Sequence, residues 1–217
     1  MDALPQAPVP SGTVPLDRPD RRAVADAPLL PAIAARWSPR AFDPDRPLTE
    51  ADLLPLLEAA RWSASASNLQ PRRLAWALRG EAAFDRILGC INPGNAPWAK
   101  NAGCLMVGCA VVEKPDGSGR NDYAAHDLGQ ALAQLSIQAA HAGIGVHQMG
   151  GFDREKARAA LAVPPGTDPF TALALGWPAA PETLDEPYRS RETAPRARVP
   201  LAELAPRGGW GGGDDAP

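Results

Sequence analysis

Cys104-Leu-Met-Val-Gly-Cys-Ala-Val-Val112 is apolar or small at every position, and the stretch from Asp122 or Tyr123 to His141 that follows contains no proline. A short continuous apolar run reads as a strand covered on both faces. In the second stretch Ala and Leu dominate, and Leu128, Ala131, Leu135 and Gln138 or Ala139 recur at the spacing of one helical face, with Gly143 placed to end the helix in the left-handed conformation. A doubly covered strand joined to a long amphipathic helix belongs at the centre of a fold.

Outward from this pair, the spacing predicts a short helix from about Leu29 to Arg36 and a second helix beginning at Thr49, whose hydroxyl caps it with Asp52 in the first turn. Leu53, Leu56, Leu57 and Ala60 give the second helix its buried stripe, and Pro55 removes one backbone donor and is expected to kink it. Leu74–Leu78 reads as a strand, Glu81–Leu88 as a helix, Ile144–Gln148 as a strand, Asp153–Leu161 as a helix and Phe170–Leu175 as a strand. The result is an alternation of helices and short strands without internal repeats. A Pro-rich opening, residues 1–27, reads as a flexible arm, residues 28–210 as one domain, and residues 211–217 as a frayed tail.

The 217 residues, 45% of them hydrophobic, suffice for one domain with a sizeable core. A formal charge of −3 and a pI near 5.6 provide no general footprint for nucleic acid or an anionic membrane, so any anion site must be local. No apolar run reaches membrane-spanning length and the N-terminus lacks a secretory apolar segment, which points to a cytoplasmic protein. Cys90, Cys104 and Cys109 are odd in number and without CxxC spacing, and Cys104 and Cys109 should face opposite sides of their strand; all three read as core residues.

Several common chemistries are missing from the sequence: there is no GxxxxGK phosphate loop and no GxSxG elbow. Gly143-Ile-Gly145-Val-His-Gln148 lacks the third glycine of a dinucleotide fingerprint and follows a helix instead of a strand. His126, His141 and His147 have no metal-ligand spacing, so no metal is expected and the histidines read as packing or hydrogen-bonding groups, with His126-Asp127 a supporting contact.

Three polar clusters remain. Arg36-Trp37-Ser38-Pro-Arg40-Ala-Phe42 and Arg196-Ala-Arg198 each set two guanidinium groups two residues apart, and Ser65-Ala66-Ser67-Asn68-Leu-Gln70-Pro71 concentrates small hydrogen-bonding side chains. Guanidinium pairs suit phosphate or a polarised carbonyl, and Ser and Asn suit sugar-like hydroxyls, so together the clusters suit a phosphorylated, many-hydroxyl ligand. Taken singly, each also reads as solvated surface charge or a polar turn.

In this order, with Asn95-Ala-Pro-Trp98-Ala-Lys100 and Gly150-Gly151-Phe152-Asp153, the residues from about Leu29 to Trp210 resemble the nitroreductase family of FMN-dependent oxidoreductases. The resemblance implies an α+β, nitroreductase-like three-layer sandwich, a central, mostly antiparallel sheet flanked by helices, in an intertwined homodimer with one FMN per subunit at the interface. It assigns Arg36, Trp37, Ser38, Arg40, Arg196 and Arg198 to the cofactor from one subunit, with Arg36 and the C-terminal pair near the phosphate and Arg40 near the pyrimidine edge. Ser65, Ala66, Ser67, Asn68 and Gln70 would complete the site, with Ser65, Ser67 and Asn68 coming from the other subunit; Asn95 would face the flavin, and the backbone of Gly150 and Gly151 would approach N5 and O4. It implies hydride transfer from NADH or NADPH to a nitroaromatic, quinone or similar small acceptor by a ping-pong mechanism. Flavin N5 would carry the hydride, without a catalytic side chain. Relatives that dehalogenate or degrade flavins, and a non-catalytic flavin sensor, are the alternatives it leaves. Ala64, Arg72 and Gly150 depart from the usual pattern, which has proline, an aromatic residue and an acidic residue there.

Overall fold

The computed structural model describes residues 21–210. Along the chain lie α1 (Pro31–Ala35), α2 (Glu50–Arg61), β1 (Arg72–Leu78), α3 (Ala82–Leu88), α4 (Ala96–Ala99), β2 (Cys104–Val111), α5 (Ala124–His141), β3 (Gly145–Met149), α6 (Arg154–Ala160), β4 (Thr167–Gly176), α7 (Tyr188–Thr193) and α8 (Leu201–Leu204). The strands form one antiparallel sheet in the order β1-β2-β4-β3, so the most apolar strand, β2, is central and β1 and β3 are the edges.

Side chains alternate between two layers. Leu105, Val107 and Cys109 join Ala172 and Ala174 on one face, packed against Phe84 and Ile87 of α3, Trp98 of α4 and Ala157 of α6. Cys104, Met106, Ala110, Leu173 and Leu175 face the other way, against Leu53, Leu56 and Ala60 of α2 and Leu128, Ala131, Leu132 and Leu135 of α5. The molecule is therefore an α+β three-layer sandwich, helices on both faces of an antiparallel sheet. Gly108 lets α5 sit close on β2, since a Cβ there would lie 3.2 Å from Thr171 Cγ2 and 3.3 Å from Leu132 Cδ1. Cys104 and Cys109 take opposite faces, and burial pushes their thiols up to about 12 and about 11, so both remain protonated.

Local signals act where the sequence places them. Thr49 Oγ1 accepts from the Asp52 N–H at 3.3 Å while Asp52 Oδ2 accepts from the Thr49 N–H at 2.8 Å, a complete capping box. Gly143, at φ 81°, ends α5: its N–H donates to Ala140 O at 3.2 Å and the Ile144 N–H to Ala139 O at 2.8 Å, the paired bonds of a Schellman motif. Pro55 lies inside α2, which continues through it from Glu50 to Arg61. It lies on the exposed face, where the freed carbonyl can turn to water, and Leu53, Leu56 and Ala60 hold the helix to the sheet on either side of it. Leu57 is only half-buried, at the margin of the stripe.

The expected arm falls largely outside the described residues, as does the tail at 211–217. Its last part is fastened to the body: Arg21 is buried, donates through Nη1 to Ala194 O at 2.8 Å and lies 5.0 Å from the centre of the Trp37 ring, and the Ala23 N–H donates to Ala34 O at 2.8 Å. No described helix is long and apolar enough to cross a membrane.

Candidate functional site

The chain leaving α1 runs beside edge strand β3. Pro39 packs against Gly145, where a Cβ would collide with the proline ring, and Phe42 bridges to Pro178. This fixes Arg36 to Arg40 at the β3 edge. The segment after α7 returns to the same place, where Arg196 Nη2 donates to Arg36 O at 3.2 Å and Nη1 to Arg21 O. Arg36, Arg196 and Arg198 then line one cleft of about 500 Å³, with Leu29, Ile33 and Val199 among its apolar walls. Burial holds the Arg36 guanidinium below its ordinary value, and Arg198 adds to the effect; Arg196 is lowered by burial, then by Arg36, Arg198 and Arg21. Among the described residues no carboxylate comes within 4.0 Å of these three groups. Asp26 lines the same cleft but makes no ion pair with these groups among the described residues, and mutually repelling guanidinium groups of this kind suit a multiply charged anion.

Arg40 is fixed by a residue the sequence did not single out. Glu192 of α7, fully buried, accepts the Arg40 N–H at 2.9 Å and the Ala41 N–H at 3.2 Å, and lies 4.0 Å from Arg40 Nη1. Burial lowers the Arg40 guanidinium, Glu192 acts in the opposite direction, and Arg191 and Arg21 lower it further. On β3, the His147 ring stacks 4.6 Å from the Trp98 ring and Nδ1 lies 2.9 Å from Pro39 O. Burial is the main reason its imidazole is held down to about 4, with Arg40 adding to it, so it is neutral at pH 7 and Nδ1–H donates to Pro39. Trp37 is buried in a separate small cluster with Ala35 and Ala140, while Ser38 is exposed.

At the other end of β3, Gly151 faces Asn95: a Cβ on it would lie 2.9 Å from Asn95 Nδ2 and 3.6 Å from Asn92 Nδ2. Gly151 O accepts the Asn92 N–H at 3.1 Å, which ties the β3 exit to the start of α4. Gly150 has open space on its Cα, so here the backbone itself is accessible.

The Ser65–Gln70 turn lies elsewhere. It enters β1, the opposite edge of the sheet, three strand spacings or roughly 14 Å from β3. Ser67, Asn68 and Gln70 sit at φ 49°, 54° and 49°, a left-handed cluster that L-residues adopt at a cost. Ser65 Oγ accepts the Gln70 N–H at 3.0 Å, Gln70 Nε2 donates to Asn68 O at 3.3 Å, and buried Asp127 of α5 accepts the Ala66 N–H at 3.1 Å. Asp127 also lies 3.2 Å from His126 Nδ1, so the His126-Asp127 contact supports this turn. The turn leaves Ser67 and Asn68 exposed. One chain thus gathers Arg36, Arg40, Arg196 and Arg198 at one edge and Asn95 with Gly151 at the far end of β3, and keeps Ser65–Gln70 at the other edge.

The nitroreductase family model matches residues 33–93 and 90–177. The chain belongs to the nitroreductase family. A crystal structure described as an oxidoreductase containing FMN is 32% identical to this nitroreductase-family chain, matching 87% of it and 96% of its own length with a TM-score of 0.81. A Desulfovibrio desulfuricans structure solved in complex with FMN is 22% identical, over 86% of this chain and 99% of that one, with a TM-score of 0.65. An uncharacterised 15.4 kDa protein of Mycolicibacterium smegmatis is 39% identical over 128 residues, 59% of this chain and 84% of that protein.

Proposed function

We propose that this nitroreductase-family chain is an FMN-dependent oxidoreductase that takes hydride from NADH or NADPH and passes it to an electron-poor acceptor, such as a nitroaromatic or quinone, in a ping-pong cycle. The observation that carries this reading is the cleft where Arg36 and Arg196, both partly desolvated, meet the exposed Arg198, with no carboxylate within 4.0 Å of the three guanidinium groups among the described residues. The residues fit flavin mononucleotide: a phosphate dianion would relieve that repulsion, and an accessible backbone at Gly150 beside Asn95 and Gly151 suits a flat ring.

When bound, FMN supplies the hydride-carrying centre, so the protein needs no acid, base or metal of its own. Arg36, Arg196 and Arg198 hold the phosphate. Arg40, its backbone fixed by Glu192, presents a positive charge to the pyrimidine edge, where reduction accumulates negative charge. Ser65, Ser67, Asn68 and Gln70 contact the cofactor held mainly by a second subunit, with Ala66 supplying the bond that anchors their turn.

Separation of the turn from the Arg cleft supports a homodimer with sites built from both chains. So does α5, which leaves Ala125, Gly129 and Ala133 exposed at four-residue intervals, a flat strip on which a second copy can lie close. The reaction is placed in the cytoplasm.

The test is the visible absorption spectrum of freshly purified protein, followed by anaerobic addition of NADH and of NADPH. The expected result is the two oxidised-flavin bands, bleached by at least one donor. Failure to bind flavin even after incubation with FMN overturns the reading.

A further inference from the structure

A second cationic recess lies apart from the Arg36 cleft, between the last turn of α2 and the first residues of β1. It measures about 220 Å³, and Leu57 and Leu74 form apolar walls beside Arg61, Arg72 and Arg73. The three guanidinium groups are not equivalent. Arg61 is neutralised by Glu58, which accepts from its Nε at 2.7 Å and from its Nη2. Arg73 Nη1 donates to Gln70 O at 2.9 Å and Arg72 O at 2.8 Å, and Arg72 Nη2 donates to Arg61 O at the end of α2. All of these acceptors are neutral carbonyls.

Among the described residues no carboxylate lies within 4.0 Å of Arg72 or Arg73. Arg72 Nη1 is buried and has no hydrogen-bond acceptor among the described residues. Asp127 acts on Arg72 from a distance, but its oxygens are engaged by the Ala66 N–H and His126. The recess therefore holds two arginines with no contacting carboxylate among the described residues, one of them with a buried, unused donor that an anionic oxygen would complete. Gln70 lines the same recess, so it adjoins the strained turn. Arg72 also stands where the family resemblance leads one to expect an aromatic side chain.

We propose that this recess binds a carboxylate or phosphate carried by a molecule that exchanges hydride at the site, its apolar body lying along Leu57 and Leu74. The inference rests on the reading above, in which the Ser65–Gln70 turn borders the flavin. Two sources share this chemistry: the 2′-phosphate of NADPH and an acid group on the acceptor.

The experiment has two arms. In the first, inorganic phosphate and benzoate are titrated into the purified wild-type protein while the arginine Nε–H signals are followed by NMR, with assignments from Arg72→Gln and, as an exposed neighbour, Arg73→Gln. A saturable shift of the Arg72 signal supports the recess, and an unmoved signal overturns it. In the second, KM is measured for NADPH and NADH, and for 4-nitrobenzoate and nitrobenzene, in wild type and Arg72→Gln. A rise of about tenfold for NADPH alone identifies the nucleotide phosphate, and the same rise for 4-nitrobenzoate alone identifies the acceptor's acid group. Equal values for charged and uncharged members of both pairs overturn the substrate role. Should wild-type protein bind no flavin, the oxidoreductase reading fails while the first arm still decides the anion site.

Discussion

At position 145 there is no room for a side chain, because an added Cβ would meet the rigid Pro39 ring and, at 3.2 Å, Pro178 Cγ. Neither ring can swing aside as a long side chain would, so Gly145→Ala should lower stability by about 1–3 kcal/mol in chemical unfolding. Gly150→Ala, into open space, should leave unfolding within about 0.5 kcal/mol of wild type. Gly151→Ala falls between them, since the nearest atom is the end of the Asn95 side chain. His147 gives the same edge a pH dependence. Its folded value of about 4 lies below the unfolded 6.5, so the unfolded chain binds the proton first. Stability linked to His147 is therefore complete above pH 6.5 and is lost as pH falls towards 4, with a slope of up to about 1.4 kcal/mol per pH unit. His147→Gln, which can keep an N–H for Pro39 without titrating, should flatten the profile of urea midpoint against pH over that interval.

Among the elements, those that local chemistry specifies were legible in the sequence. Thr49 with Asp52 starts α2 and Gly143 ends α5 through bonds within a few residues, and the two-faced apolarity of β2 places it in the sheet interior. The one-turn α4 and short α7 were not foreseen, because helices so short depend on what they pack against. Candidate site residues divide the same way. Arg36, Arg196 and Arg198 advertise themselves by charge and spacing, whereas Glu192 acts on a partner 152 positions away with nothing local to mark it, and Asp127, marked only by its neighbour His126, has its partner Ala66 61 positions away. Asp127 shows what such a residue does for an element. Its bond to the Ala66 N–H holds a turn with three left-handed residues, so Asp127→Ala should cost about 1–3 kcal/mol in stability. Hydrogen exchange at Ala66 should accelerate more than at the β2 amides, which would separate loosening of the turn from general destabilisation.

For the whole molecule, what matters is that the two groups of residues proposed to hold the cofactor sit on opposite edges of one sheet. If each site is completed by a partner, a chain crippled at the Arg cleft and a chain crippled at the turn carry complementary lesions. Arg196→Ala combined with Arg198→Ala defines the first chain, and Asn68→Ala combined with Ser65→Ala the second. Each homodimer has both sites damaged and should retain little flavin. In a mixed dimer one site receives both lesions, and the other receives an intact Arg cleft from one subunit and an intact turn from its partner. Random exchange makes about half of the dimers mixed, and one of the two sites in each is whole, so about a quarter of wild-type flavin binding should return. The measurement is flavin absorbance per chain after the two variants are co-expressed, with sedimentation velocity to establish dimers. Recovery near one quarter means that the cofactor lies between subunits. With dimers formed, both homodimers empty and no recovery, the cleft and the turn would have to serve a site within one chain, whereas a turn variant that kept its flavin on its own would show that the turn at β1 has no part in holding it.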